Sequence, residues 1–351
     1  MDKPFLKRLR RIDPYVPGEQ PQSDDIIKLN ANENPYPPAP GVQQALRDFD
    51  TSRLALYPDA NGKALKNALA NRFGVKPSQV FLGNGSDDVL ALAFQSFFCS
   101  DEPVLYPDIT YSFYPVWCDL FRIPYETVPL DENFCVNIRD YDRPNGGIVL
   151  PNPNAPTGRG VSLAFLEDLL QHNADCVVII DEAYVDFGAQ SAVPLIEKYE
   201  NLLVVQTMSK SRSLAGLRIG YALGSETLIA TLEAVKNSYN SYTMDAVALA
   251  AGEAAVADEA YFQETCRKVV ATRERTADAL RGLGFVVPPS LTNFLFVTHP
   301  DKNASDIFAA LRERGIFIRY FKLPRIDNYL RITVGTDEQM DRLIDALRDL
   351  L

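Results

Sequence analysis

Histidine is scarce in this sequence: His172 and His299 are the only two among 351 residues. Neither has the cysteine, aspartate or glutamate company that would hold a metal or complete a catalytic triad, so both are expected at surface or loop positions and no metal is expected. The five cysteines, Cys99, Cys118, Cys135, Cys176 and Cys266, show no C-x-x-C spacing, which excludes a disulfide framework or zinc knuckle and leaves reduced, mostly buried thiols. Long apolar runs are missing too. The basic N-terminus MDKPFLKRLRR has no apolar core of the signal-peptide kind, so no membrane partner and a cytoplasmic location are expected. Positive charge is in deficit, 35 Lys and Arg against 46 Asp and Glu for a net charge of −11, which argues against nucleic acid or anionic membrane as the main partner. No internal repeat or low-complexity block occurs.

What is present is a 351-residue chain, 46% hydrophobic and 23% charged, long enough for a large core and two domains in one subunit. Its organising stretch is residues 207–220, TMSKSRSLAGLRIG, after an apolar run at 202–205 that reads as a buried strand. Open α/β sheets place ligands at such strand ends, so Lys210 is expected to point into a crevice. Desolvation and a neighbouring cation both favour the neutral, nucleophilic form of a lysine. An amine beside an anion site suits an aldehyde that carries a phosphate, and pyridoxal phosphate is both, with Thr207, Ser209 and Arg218 as phosphate ligands.

Other segments fit the same ligand. A strand at 80–82, the turn Gly83-Asn84-Gly85 and Ser86 as N-cap of an apolar helix to about residue 98 make an anion site of backbone N–H groups and helix dipole. Gly85 and Ser86 are expected at the phosphate, with Asp87 contributing mainly its backbone N–H because its carboxylate would repel an anion. The apolar run 176–180 reads as a central parallel strand ending in Asp181-Glu182-Ala183-Tyr184. Asp181 would keep a pyridine nitrogen protonated, and Tyr184 would face the ring hydroxyl. Strands are expected at 104–105, 148–150, 294–297, 316–319 and 330–334, with helices at 304–313 and 337–350 and long Ala-rich helices across 245–281.

The pattern S-K-x-x-x-L-A-G-L-R-x-G resembles the lysine segment of fold-type I pyridoxal phosphate enzymes, in particular the histidinol-phosphate aminotransferase branch, and the likeness runs in order from Tyr15 to Arg331. It implies an α/β fold: a large domain with a mostly parallel seven-stranded sheet (34–240), a smaller C-terminal α/β domain (241–351), and an N-terminal arm (1–33) packing with the latter. In the arm, Tyr15, Asn32, Glu33 and Asn34 match the family's Y-V-P-G and N-x-N-E-N-P segments, which places Tyr15 and Asn32 at the substrate. Tyr111 matches the tyrosine that stacks on the pyridine. Tyr57 matches one that reaches the cofactor phosphate of the other subunit, which implies a homodimer with shared active sites. Arg319 and Arg331 match the arginines at the substrate's far end. One position departs from the family: the asparagine expected before Pro-Thr-Gly is Ala155, so either Asn154 swings in or the ring hydroxyl relies on Tyr184 and water.

The activity so implied is transamination of L-histidinol phosphate with 2-oxoglutarate, giving imidazole acetol phosphate and glutamate, with Lys210, Asp181 and Tyr184 as catalytic residues. The alternative is an aromatic amino-acid aminotransferase of the same branch, and less so a threonine-phosphate decarboxylase. A regulator using this fold as a sensing module is expected to add a DNA-binding domain, for which 351 residues leave no room.

Overall fold

A computed structural model describes residues 3–16, 18–21 and 25–351; Pro17, within the Y-V-P-G match, and part of the expected arm lie outside the described residues. In chain order the first elements are β1 (Ile27–Lys28), α1 (Pro40–Arg47), α2 (Lys63–Phe73), β2 (Val80–Asn84), α3 (Ser86–Phe97), β3 (Val104–Pro107) and α4 (Phe113–Phe121). Next come β4 (Tyr125–Val128), β5 (Gly147–Pro151), α5 (Leu163–His172), β6 (Val178–Asp181), β7 (Leu202–Thr207), β8 (Ile219–Gly224) and α6 (Glu226–Tyr239). The rest is α7 (Ala246–Ala257), α8 (Glu259–Gly282), β9 (Phe294–Val297), α9 (Ala304–Glu313), β10 (Ile316–Phe317), β11 (Arg319–Tyr320), β12 (Leu330–Thr333) and α10 (Asp337–Arg348). Among the described residues no helix is long and apolar enough to cross a membrane.

The apolar runs form strands because both faces of their sheet are covered. Seven strands lie in the order β2-β8-β7-β6-β5-β3-β4, and only β8 runs against its neighbours. Side chains alternate between two cores, since successive residues of a strand point to opposite faces. Ile148, Leu150, Val178, Ile180, Leu202 and Val204 pack toward α1, α2, α5 and α7. Val149, Ile179, Leu203 and Val205 pack toward α3, α4 and α6. Every strand end that bears a predicted site residue, at Asn84, Asp181 and Thr207, therefore meets along one edge of the sheet, joined by the start of the reversed β8.

The smaller body has its own core, in which Leu295, Val297, Ile307, Leu311, Ile332 and Leu343 surround the sheet β11-β12-β9. The arm completes it: β1 pairs in parallel with β10, and Ile27 and Leu29 are buried there. The strand expected over 316–319 is in fact two, because β10 bonds the arm while β11 bonds β12, with buried Ile318 between them. Ala248, Ala251 and Ala255 of α7 pack into the large core against α1 and α2, small side chains allowing the close approach, and the 24-residue α8 follows. At α3 the N-cap is Gly85, with Ser86 the first helical residue, one place later than the N-cap role expected for it.

Candidate active site

The strand ends open on a crevice of about 520 Å³, within the range of small-molecule sites, which also takes in the arm and the smaller body. Lys210, in the loop after β7, lines it with Nζ 3.3 Å from the Ala31 carbonyl and 5.8 Å from the Tyr184 ring centre. Asn34 holds this loop from the arm by donating to the Lys210 carbonyl at 2.9 Å, a contact beyond the segment match that singled Asn34 out.

At one end lies an anion cradle. Ser86 and Asp87 occupy the first turn of α3, where backbone N–H groups have no partner within the helix. Gly85 contributes by what it lacks: its φ is +87°, and a Cβ there would stand 2.5 Å from Arg218 Nη2. Its N–H donates to the Gly83 carbonyl at 2.9 Å. Gly220 allows the turn to approach, since a Cβ on it would strike the Gly85 carbonyl carbon and the Ser86 nitrogen. Thr207 Oγ1 donates within the wall, to Ser209 Oγ at 2.9 Å, which leaves the Ser209 proton available to the crevice. The Asp87 carboxylate does not turn away as expected: it accepts from Tyr111 Oη at 2.8 Å and pairs with Arg218 Nη2 at 3.0 Å.

Deeper in, Asp181 is 5% exposed, and burial pushes its carboxyl up to about 6. Tyr114 Oη, itself fully buried, donates to Asp181 Oδ2 at 2.7 Å, and the Ala183 N–H donates to Oδ1 at 3.2 Å. Sequence reasoning passed over Tyr114, one of several aromatics between 106 and 114; it lies in the first turn of α4, three residues after Tyr111 in the loop before the helix. Neighbouring Glu182 points away and is satisfied by Ser191 Oγ, the Ala192 N–H and Gln206 Nε2. Tyr184 lines the crevice, and its hydroxyl accepts from Asn32 Nδ2 at 2.9 Å. Ala155 also lines it, and Asn154 is not among its lining residues. The Asn154 Nδ2 donates to the Ile109 carbonyl and to Thr157 Oγ1 while its Oδ1 accepts from Thr110 Oγ1, which braces two loops.

The far wall is cationic and aromatic. Arg331 donates to the Asn30 carbonyl at 2.9 Å and lies over Phe294 and Phe321, while its Nε is buried without a partner. Burial moves this guanidinium down from its ordinary value. Arg319 lies over Phe321 at 5.6 Å, and among the described residues neither arginine pairs with a carboxylate. Tyr15 closes this side from the arm, stacked on Phe113 at 4.2 Å and 6.5 Å from Tyr111. Tyr57 is not in the crevice; it is 81% exposed and stacks on Tyr242.

The residues present suit a particular guest. A cradle that excludes a Cβ, a buried carboxylate with room on its crevice side and an amine between them have use for one ring bearing a phosphate, a basic nitrogen and an aldehyde. That is the class of pyridoxal phosphate enzymes of fold type I. The profile of the aminotransferase class I and II family matches residues 24–347. The histidinol-phosphate aminotransferase of Acinetobacter baumannii strain SDF is 56% identical over 97% of this chain and 95% of its own. Histidinol-phosphate aminotransferase 2 of Dechloromonas aromatica strain RCB is 54% identical over 100% of this chain and 99% of its own. The crystal structure of histidinol-phosphate aminotransferase from Sinorhizobium meliloti in complex with pyridoxal-5'-phosphate superposes with a TM-score of 0.83 at 28% identity, covering 93% of this chain and 92% of that one. The chain belongs to the class I and II aminotransferases and, within them, to the histidinol-phosphate aminotransferases.

Proposed function

We propose that the chain transfers the amino group of L-histidinol phosphate to 2-oxoglutarate, giving imidazole acetol phosphate and glutamate, as a step of histidine biosynthesis. The observation that carries this reading is the pair of arginines without carboxylates at the crevice wall, one with an unpartnered buried Nε. A guanidinium fork accepts a phosphate or a carboxylate with equal geometry, so one site serves both the phosphorylated donor and the dicarboxylic acceptor. The relatives that bear this name across nearly the whole chain support it.

Pyridoxal phosphate, when bound, supplies an aldehyde for the amino group and an electron-poor ring that stabilises negative charge on the substrate carbon. Ser86, Asp87, Thr207, Ser209 and Arg218 hold its phosphate, and Tyr111 covers the ring. Asp181 presents a buried negative charge to the ring nitrogen, kept in place by Tyr114 and the Ala183 N–H. Lys210 would hold the aldehyde carbon through its Nζ and, as a basic group lining the crevice, would take the proton from the amine-bearing carbon. Tyr184 would donate to the ring oxygen. Tyr15, Asn32, Arg319 and Arg331 shape the substrate end, and the aromatic wall of Tyr15, Phe113 and Phe321 accepts a flat imidazole.

The same wall also suits a phenyl ring, which keeps an aromatic amino-acid aminotransferase as the second reading. The active unit is a cytoplasmic homodimer, in which exposed Tyr57 completes the phosphate site of the other subunit. One half-reaction tests the substrate: purified enzyme charged with pyridoxal phosphate, its absorbance followed on adding histidinol phosphate or, separately, phenylalanine. Rapid conversion to the pyridoxamine form by histidinol phosphate, with phenylalanine much slower, is expected; the reverse order overturns the proposal in favour of the second reading.

A further inference from the structure

Asn32 stands in the arm with φ +55°, a left-handed conformation that Asn, Asp and Gly adopt more readily than other residues. It is 2% exposed, and each of its polar groups is engaged. Its N–H donates to Thr333 Oγ1 at 3.0 Å, and its carbonyl accepts from Asn293 Nδ2 at 3.0 Å. Its Oδ1 accepts from Thr333 Oγ1 at 3.1 Å, and its Nδ2 donates to Tyr184 Oη at 2.9 Å. The network has one consistent direction. Thr333 Oγ1 accepts from the backbone and has a single proton, which goes to Oδ1, so the end of the amide at Tyr184 is the NH2 group. Tyr184 therefore accepts there and keeps its own proton for another partner. Ala155 beside it carries no polar side-chain atom, and Asn154 is fully committed elsewhere.

We propose that Asn32 is a positioning residue that, by donating to the Tyr184 oxygen, turns the Tyr184 proton into the crevice and makes Tyr184 the side-chain donor to the cofactor's ring oxygen. Asn32 thereby ties the protonation of the ring to the docking of the arm, since its own partners lie on β12, in the loop before β9 and after β6. The inference rests on the pyridoxal phosphate site and is independent of which amine is the substrate.

A donor at the ring oxygen withdraws negative charge from it, so the cofactor's proton is held less tightly; removing the donor moves the titration to higher pH. The test is a pH titration of the absorbance of the cofactor-loaded protein, with melting curves to confirm folding. Tyr184→Phe is expected to raise the midpoint by about one pH unit, the size of one hydrogen bond to a charged group. Asn32→Gly suits the positive φ and removes the side chain. It is expected to raise the midpoint in the parent protein and to add nothing in a Tyr184→Phe background. Asn32→Asp keeps the shape and the Thr333 bond but accepts from Tyr184 instead of donating, and is expected to raise the midpoint at least as far as Tyr184→Phe. A parental midpoint in Asn32→Gly and Asn32→Asp while Tyr184→Phe moves, or an Asn32→Gly shift of equal size in both backgrounds, overturns the proposal. A parent protein whose bound cofactor shows no titrating band overturns the site reading, and the proposal with it.

Discussion

A carboxylate out of water is unstable unless something compensates it, and among the described residues Asp181 has two hydrogen bonds for compensation. Its folded value of about 6 lies above the ordinary 3.8, so between these values the folded chain holds a proton that the unfolded chain has lost. Stability therefore falls as pH rises through that window: the contribution is complete below about pH 4 and gone above about pH 6. At about 1.4 kcal/mol per unit the loss is of the order of 3 kcal/mol. In the cofactor-free protein, Asp181→Asn is expected to gain about that much on the parent between pH 4 and pH 7, by denaturant unfolding at both values; a difference that does not change with pH rejects the account. Arg331 poses the opposite case, a half-buried cation whose Nε has no partner among the described residues. Arg331→Ala is expected to slow both half-reactions, with histidinol phosphate and with 2-oxoglutarate, by about tenfold or more, the value of a charge-assisted hydrogen bond. Single-turnover absorbance measures each half, and damage confined to one of them rejects a shared anion site.

Among the elements, the crossing of β2 and β8 does the most for the site. Gly83 pairs with Gly220, and the turn after β2 lies on β8 so closely that no Cβ fits between them. Gly220→Ala pushes backbone against backbone, where no side chain can yield. An overpacking cost of about 1–3 kcal/mol follows, with a displaced Ser86 N–H and weaker cofactor binding. Melting temperature and cofactor titration measure the two, and an unaltered protein on both counts rejects the cradle. The long central strands were legible because their apolar runs have one explanation, burial on both faces; β5, β6, β7 and β9 stand within two residues of their expected bounds. Of the two-residue strands, β10 and β11 were read as one and β1 was missed, since a pairing partner about 290 residues away in the chain, not local pattern, defines β1. The site divides the same way. Lys210, Asp181 and Tyr184 were read from strand ends and motif spacing and Arg331 from the family resemblance, whereas the turn of the Asp87 carboxylate toward Arg218 and of Asn154 away from the crevice depends on side-chain rotamers that no sequence pattern encodes.

At the scale of the whole molecule, the large body, the smaller body and the arm all contribute walls to the crevice. Leu54, Leu56, Tyr57 and Tyr239 are each more than half exposed, and Tyr57 stacks on Tyr242. Single exposed apolar residues are ordinary, whereas large contiguous apolar surface marks an interaction site. In the proposed homodimer a second copy would cover such residues and would bring Tyr57 of the partner subunit to the cradle. Sedimentation is then expected to give a particle of two 39.1 kDa chains. Leu56→Asp, which sets a charge next to Tyr57, is expected to shift the protein toward monomer and to weaken cofactor binding with it. Tyr57→Ala is expected to separate the two effects, remaining dimeric while losing about tenfold in cofactor affinity, the value of one hydrogen bond to a phosphate. A parent that sediments as a monomer and turns over at full rate rejects the shared site; a dimer in which Tyr57→Ala binds cofactor as tightly as the parent keeps the dimer and removes Tyr57 from the phosphate.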